Sequence, residues 1–401
     1  MTARGGTLSL NGRPSLNSEI GIVGGSVAGL FTAHLLGQAG KRVHVFEAAE
    51  DFDPKPRTLI VTHRLHELLG KVGKSSLVNE IRRFELFTDG RVARIGLRHP
   101  DLVIERGNLI RDLAAAAQGS GAQISFGRRF VSMEQKAGAF NLQLQRSQGA
   151  TIEEAQVNTL VAADGAVSRV AKAAGWPAQA TAPLLQAIVR LPEGMSSDTT
   201  RVWFIPDDTP YFYWLIPDSP TRGVLGLIGE EGPETRRALE RFLEKQHLEP
   251  LEYQAARIPV YSKWIPVSRR LTGGDVYLVG DAAGHVKVTT VGGIVTGLRG
   301  ALGVSEAILD GKPGRKLRDL RRELDIHLLI RKVIHNFSQT RYSRLVDLLN
   351  ARTRQDLEEH TRDEPGGVLW RLCLHQPRLL LFGLRTVLTG GMFPAHRAPG
   401  P

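Results

Sequence analysis

The stretch EIGIVGGSVAGLFTAHLLGQAGKRVHVFEAAED, residues 19–51, decides how the rest of the chain is read. Its first five residues form a short apolar run suited to a buried strand. Val27, Leu30, Phe31, His34 and Leu35 then recur at helical spacing, Gly40 ends the helix, and residues 42–47 alternate into a second strand. Strand, tight turn, helix and strand within about 30 residues is the context in which a glycine-rich turn binds a dinucleotide. Gly24 can make the sharp turn, and Gly29 lets helix and strand pack closely. Backbone N–H groups near Ser26, Val27 and Ala28 would face a pyrophosphate at the helix start. Glu47, closing the second strand, can accept hydrogen bonds from both hydroxyls of a ribose. Ser26 replaces the middle glycine of G-x-G-x-x-G, and its small side chain keeps the backbone approachable. Taken alone, the motif leaves a structural turn as an equal alternative.

The chain has 401 residues, enough for two or three packed layers, with 42% hydrophobic and 23% charged residues. Its single cysteine, Cys373, excludes a disulfide framework and a cysteine metal site, and no metal is expected. That usage suits a reducing cytoplasm. Residues 1–18 lack a continuous apolar segment and read as a flexible tail, and no stretch reaches the length of a membrane span. The net charge is +11, and 17 Lys and Arg against 9 Asp and Glu lie from Lys312 onward. A solvated helical face explains that excess; peripheral contact with an anionic membrane surface is the alternative. No nucleic-acid module accompanies it, so no nucleic-acid partner is expected.

Three more signals follow. In residues 103–126 a basic residue, Arg106, precedes an amphipathic helix, and a strand restarts at Ala122. In residues 158–175 a buried strand runs into Asp164-Gly165, with a helix expected from about Ala166. Ligands collect at such carboxyl ends of open α/β sheets, although a plain turn reads the same way. In GGDVYLVGDAAGHVKVTTVGGIVTGLRGALGVSEAI, residues 273–308, a strand delivers Gly280-Asp281, and Gly292-Gly293 opens a long apolar helix. Asp281 would meet a ribose or ribitol hydroxyl, and the N–H groups of Gly293 and Ile294 would lie at a helix N-terminus.

These four signals, in this order, resemble the FAD-dependent family of p-hydroxybenzoate hydroxylase-like monooxygenases and geranylgeranyl reductases, over residues 19 to about 378. The resemblance implies FAD as cofactor. It also implies that Gly24, Ser26, Val27, Ala28, Gly29 and Glu47 bind its ADP half, with Arg106, Val131, Asp164, Gly165, Gly280, Asp281, Gly293 and Ile294 completing the cofactor site. The spelling GDAAGHVKVTTVGGI, residues 280–294, is similar to the reductases' G-D-A-A-G-x-V-x-P-x-T-G-x-G-I, where hydroxylases usually read G-D-A-A-H. YFYWLIPD, residues 211–218, matches a reductase pattern through Trp214 and Pro217. The chain departs from the family at Val288, where proline is usual, and at Val291, where glycine is usual. It also lacks the reductases' cysteine-containing segment after the second strand.

The implied architecture is α/β: a Rossmann-type FAD-binding domain, an interleaved antiparallel β-sheet substrate domain and a helical C-terminus. The expected FAD-binding domain comprises residues 19–74, 101–180 and 268–312. Strand-like runs place the substrate domain at 75–100 and 181–267, the helical region at 313–391 and a second tail at 392–401. The expected reaction reduces carbon–carbon double bonds of an isoprenoid or other small hydrophobic substrate. Alternatives are hydroxylation of an aromatic or polyketide-like compound and, third, a halogenase-like or non-catalytic flavin protein. Phe212, Trp214 and His285 are the expected substrate contacts; His285, Lys287 and Tyr213, or a fixed water, are the candidate proton donors. No second glycine fingerprint is present, which leaves the reductant open between NAD(P)H, an electron-donor protein and a quinol.

Overall fold

The computed structural model describes residues 16–52, 56–335, 337–359, 362–364, 366–367 and 371. Most of the expected N-terminal tail, Cys373 and the C-terminal segments beyond 371 lie outside these residues.

The chain opens with β1 (Ser18–Val23), α1 (Val27–Gln38), β2 (Val43–Phe46), β3 (Thr58–Val61) and α2 (Arg64–Leu69). There follow β4 (Leu77–Thr88), β5 (Arg91–Glu105), α3 (Arg106–Gly119), β6 (Gln123–Ser125), β7 (Arg128–Lys136), β8 (Ala139–Arg146), β9 (Ile152–Ala162) and α4 (Arg169–Ala173). The middle of the chain supplies β10 (Thr181–Arg190), β11 (Thr199–Trp203), β12 (Tyr213–Pro217), β13 (Arg222–Ile228), α5 (Gly232–Lys245) and β14 (Pro250–Pro259). After β15 (Ser268–Leu271) and β16 (Gly274–Leu278) come the helices α6 (Ile294–Asp310), α7 (Arg315–Ile334), α8 (Gln339–Asp347) and α9 (Ala351–Glu359).

Two sheets organise these elements. The first runs β15-β16-β9-β1-β2-β6, with β8 pairing to β9 and β7 to β8. Its central neighbours β16, β9, β1, β2 and β6 are parallel, and β2 with the ends of β1, β9 and β16 form the buried, mostly apolar centre of the sheet. Helix α1 is apolar around most of its circumference and is packed accordingly, with Leu30, Ala33 and Leu36 fully enclosed. The second sheet runs β14-β10-β13-β12-β11-β4-β5-β3. Its pairs are antiparallel except β11 with β4, which run parallel.

The division of the chain differs from the expected one in two places. β3 lies inside the stretch 19–74, and residues 101–105 lie inside 101–180; both stretches pair in the second sheet. The reason is the length of β5. It stays in the second sheet as far as Glu105 and hands the chain directly to α3.

On β12 the alternation of side chains separates two environments. Tyr213 and Leu215 point toward α5, whose Leu239, Phe242 and Leu243 cover that face of the sheet. Phe212, Trp214 and Ile216 point to the other face, which is not filled by protein.

Candidate active site

The turn between β1 and α1 is built on close backbone approach. Gly24 has φ +105°, and a Cβ there would overlap the carbonyl oxygen of Ala163. Ser26 is the N-cap of α1, its Oγ accepting from the Gly29 N–H at 3.2 Å. The first helical hydrogen bond runs from Leu30 N–H to Ser26 O, so the amides of Val27 and Ala28 precede the intrahelical ladder. Glu47 reaches back to this turn. Its two oxygens accept from the Gly25 N–H at 2.6 Å and the Ala49 N–H at 2.8 Å, which fixes the carboxylate beside the helix start. The Arg128 N–H bonds Glu47 O at 2.7 Å, and three residues on Val131, an exposed residue, occupies an irregularity in the β7–β8 pairing.

The last motif meets the first. A Cβ on Gly280 would lie 2.9 Å from Ala28 Cβ, and one on Gly297 of α6 would lie 3.5 Å from Gly280 Cα. Asp281 is half-buried. Burial pushes its carboxyl pKa up, while the charges of Arg106 and Arg57 pull it down. Gly293 permits close approach, since a Cβ there would stand 3.2 Å from Asp281 Oδ1. No side chain caps α6, and its first amides face outward at the positive end of the helix dipole. Arg57 carries no sequence motif and is the cofactor-side residue that sequence reading misses. Its Nε is buried without a partner, its carbonyl accepts from the Arg106 N–H at 3.0 Å, and its own N–H bonds Glu105 at 3.0 Å.

Asp164 lies beside Gly24, but its carboxylate is used locally. It accepts from Ser168 Oγ at 2.5 Å and from the amides of Arg169 and Val170, capping α4. For that reason α4 begins at Arg169 and not near Ala166, with Gly165 at φ +87° making the intervening bend.

Below the second sheet lies a cavity of about 560 Å³. Phe84, Phe212, Trp214 and Ile216 form one wall, residues 289–295 the end nearest Asp281, and α7, α8 and α9 the other side. Buried ion pairs stand around it. Lys287 binds Asp363, which also accepts from Thr62, and Arg362 binds Asp101 at 2.5 Å.

The free donors at α1 and α6, the unpartnered Arg57 Nε and the glycine cradle fit a dinucleotide that brings phosphate, ribose and ring acceptors. A family profile described as an FAD binding domain matches residues 17–309. The chain belongs to this FAD-binding family. It is an FAD-dependent oxidoreductase. Among solved structures it is similar to a geranylgeranyl bacteriochlorophyll reductase-like protein from Thermoplasma acidophilum, at TM-score 0.77 and 17% identity, over 92% of this chain and 99% of that one. It is also similar to a p-nitrophenol 4-monooxygenase from Pseudomonas putida DLL-E4, at TM-score 0.61 and 17% identity, over 93% and 98%. A third likeness is to aklavinone-11 hydroxylase in complex with FAD and aklavinone, at TM-score 0.58 and 21% identity, over 79% and 68%. Among the described residues, no helix of this flavoprotein is long and apolar enough to cross a membrane.

The expected substrate contacts divide. Phe212 and Trp214 line the flavoprotein's cavity; His285 does not. His285 is fully enclosed, stacked on Trp264 with centroids 5.4 Å apart, and occupies the space left by the missing Cβ of Gly300. Burial lowers its pKa to about 3, so it is a neutral core side chain and neither a substrate contact nor a proton donor. Tyr213 faces α5, its hydroxyl donating to Asp208 at 3.0 Å, which removes it as a donor as well. Of the three candidates, Lys287 alone reaches the cavity.

Val291, which replaces the usual glycine, keeps glycine's conformation with φ +54°. The left-handed region costs a residue with a Cβ about 1–2 kcal/mol. Val291 offsets part of this by packing in the cluster around Ile81 and Trp214. Val291→Ala keeps the strain and loses most of that packing, so it is expected to be less stable than Val291→Gly by about 1 kcal/mol. Urea unfolding of both variants checks this ordering, and equal midpoints would refute it.

Proposed function

We propose that the protein reduces carbon–carbon double bonds of an isoprenoid or comparable hydrophobic substrate, with bound FAD supplying the hydride at N5. The observation that carries this reading is the apolar cavity ending on the Gly292–Gly293 turn and the start of α6. Its volume is within the range of small-molecule sites, and its walls match an extended hydrocarbon. In this reading the amides of Val27 and Ala28 would hold pyrophosphate, Glu47 would hold a ribose, and Asp281, beside the charges of Arg57 and Arg106, would hold the ribityl chain. The amides of Gly293 and Ile294 would serve the flavin ring. Lys287 Nζ, buried beside Gly292, holds a proton at the cavity wall and is the source of the proton that completes saturation. The greater likeness to the reductase-like protein, TM-score 0.77 against 0.61 and 0.58, supports the same choice.

The aromatic walls favour one second reading, hydroxylation of an aromatic or polyketide-like compound. Holoprotein reduced with dithionite and mixed anaerobically with prenylated lipids and quinones separates the two without assuming an electron donor. Gain of two hydrogens without oxygen supports reduction. Product that forms only after air is admitted, and that carries an atom of labelled dioxygen, replaces it with hydroxylation.

The cofactor contacts have their own test. Glu47→Ala and Asp281→Ala are each expected to weaken FAD retention by about 10- to 100-fold, as hydrogen bonds to charged groups contribute about 1.5–3 kcal/mol. The ratio of visible to ultraviolet absorbance after dialysis measures this. Wild-type flavin content in both would remove these residues from the site.

A further inference from the structure

Among the described residues, one cation lining the cavity has no carboxylate partner. Lys287 is paired with Asp363, Arg362 with Asp101 and, behind the wall, Arg299 with Glu323. Arg331 of α7 lines the same cavity and is 7% exposed. Its guanidinium lies over the Tyr211 ring, Cζ 3.9 Å from the centroid, and Nη2 meets His335 Nδ1 at 3.0 Å. Among the described residues no carboxylate oxygen comes within 4.0 Å of it. Exposed Glu230 acts on it only from farther away. The remaining carboxylates of the cavity are engaged elsewhere. Glu358 accepts from the Gly96 N–H at 3.3 Å, and Glu359 stands 3.8 Å from Arg371.

Polar atoms without partners share the cavity. His327, one helical turn before Arg331 and therefore on the same side of α7, is 3% exposed, and its Nε2 is buried with no hydrogen-bond partner. Its Nδ1 is held by Thr289 Oγ1 at 2.6 Å, which orients the ring. Thr290 Oγ1 is likewise buried and unpartnered. Buried polar groups are ordinarily hydrogen-bonded, and a buried guanidinium is ordinarily paired, because the desolvation cost is otherwise uncompensated. Here a guanidinium partnered only by neutral groups, Tyr211 and His335, stands with two unpartnered hydrogen-bonding atoms in a cavity whose other walls are largely hydrocarbon.

We propose that Arg331, with His327 and Thr290, binds the carboxylate of an otherwise apolar substrate. A single uncompensated charge matches a monoanion, and the planar guanidinium matches the two oxygens of a carboxylate. The proposal rests on the reading that this cavity holds the substrate, and it narrows that substrate to lipophilic acids.

Isothermal titration of the holoprotein with hexadecanoate, hexadecanol and hexadecyl phosphate, each below its aggregation concentration, tests the assignment. The acid is expected to bind at least about tenfold more tightly than the alcohol, the least that a charge-assisted pair contributes. Arg331→Gln is expected to erase that difference, and Arg331→Lys to keep part of it. Equal binding of acid and alcohol by the unaltered protein overturns the proposal, as does an undiminished preference in Arg331→Gln. Tighter binding of the phosphate than of the acid overturns the carboxylate assignment. Should Arg331→Gln fail to fold, judged by its flavin content, the comparison in the unaltered protein and in Arg331→Lys decides. An unsaturated acid that binds but is not reduced defeats the reductase reading and leaves this one standing. Prenylated lipids that are reduced while acids show no preference defeat this one alone.

Discussion

Asp363→Ala is expected to destabilise the protein by about 3–5 kcal/mol, the usual cost of removing one partner from a buried ion pair. The Lys287 side chain is 6% exposed and that of Asp363 is fully enclosed, so no water replaces the lost carboxylate. The same substitution removes the acceptor of the Thr62 hydroxyl, buried in the short stretch between β3 and α2. The destabilisation comes from the orphaned ammonium, and therefore the double substitution Lys287→Met with Asp363→Leu is expected to recover most of it. Urea unfolding at neutral pH measures both, and a double variant no more stable than Asp363→Ala would contradict the explanation. The pH dependence has a definite sign. Burial alone would raise the Asp363 pKa, but the Lys287 charge and the hydrogen bonds from Lys287 and Thr62 outweigh it and hold it near 2. The pair's contribution is therefore present above the ordinary carboxylate value of 3.8 and is lost as pH falls toward about 2.

Gly24→Ala is expected to cost about 3 kcal/mol or more and to give protein without flavin. Two effects act together. The residue would hold φ +105°, which costs a residue with a Cβ of order 1–3 kcal/mol. The added carbon would also overlap the Ala163 carbonyl and approach the Asp164 nitrogen within 2.9 Å, and neither backbone atom can turn aside as a flexible side chain can. Relief requires β1 and β9 to separate where the two turns lie against each other, which also displaces the amides at the start of α1. Flavin content of the purified variant and urea unfolding of both apoproteins separate loss of the site from loss of the fold. A yellow variant of ordinary stability would show that the turn adapts.

How far the sequence could be read follows from the range of each interaction. The β1–α1–β2 unit and the Gly280-Asp281 turn were legible because their signals are local: apolar runs, helical spacing, and glycines where strand meets helix. Ser26 in place of a glycine was legible as tolerated, but its capping of Gly29 emerges only from the helix geometry. The strand-like character of residues 211–217 was visible in the sequence, yet nothing local says that Tyr213 faces a helix and Trp214 a cavity. His285 looked chemically suggestive because it follows the Gly-Asp turn, and its neutrality is set by Gly300, which lies within another element. Arg57, the Asp363 partner of Lys287 and the lack of a carboxylate beside Arg331 depend on residues brought together from distant parts of the chain, where no periodicity points. The pairing of β3 and the end of β5 in the second sheet was hidden for the same reason, since it joins residues 58–61 to residues 102–105.

The first sheet has a consequence for how this protein is made. Its adjacent strands β1, β9 and β16 come from residues 18–23, 152–162 and 274–278, and the α6 amides follow them in the chain. During synthesis the glycine turn at residue 24 leaves the ribosome long before the segment that completes its surroundings. With the cofactor contacts proposed above, a flavin met early would find an unfinished cradle, and its capture would wait until α6 has been translated. Such non-local pairing slows folding and leaves the edges of β1 open in the interim. A nascent chain halted before Gly293 would carry most of the ADP-binding turn and still have no place to hold the ring.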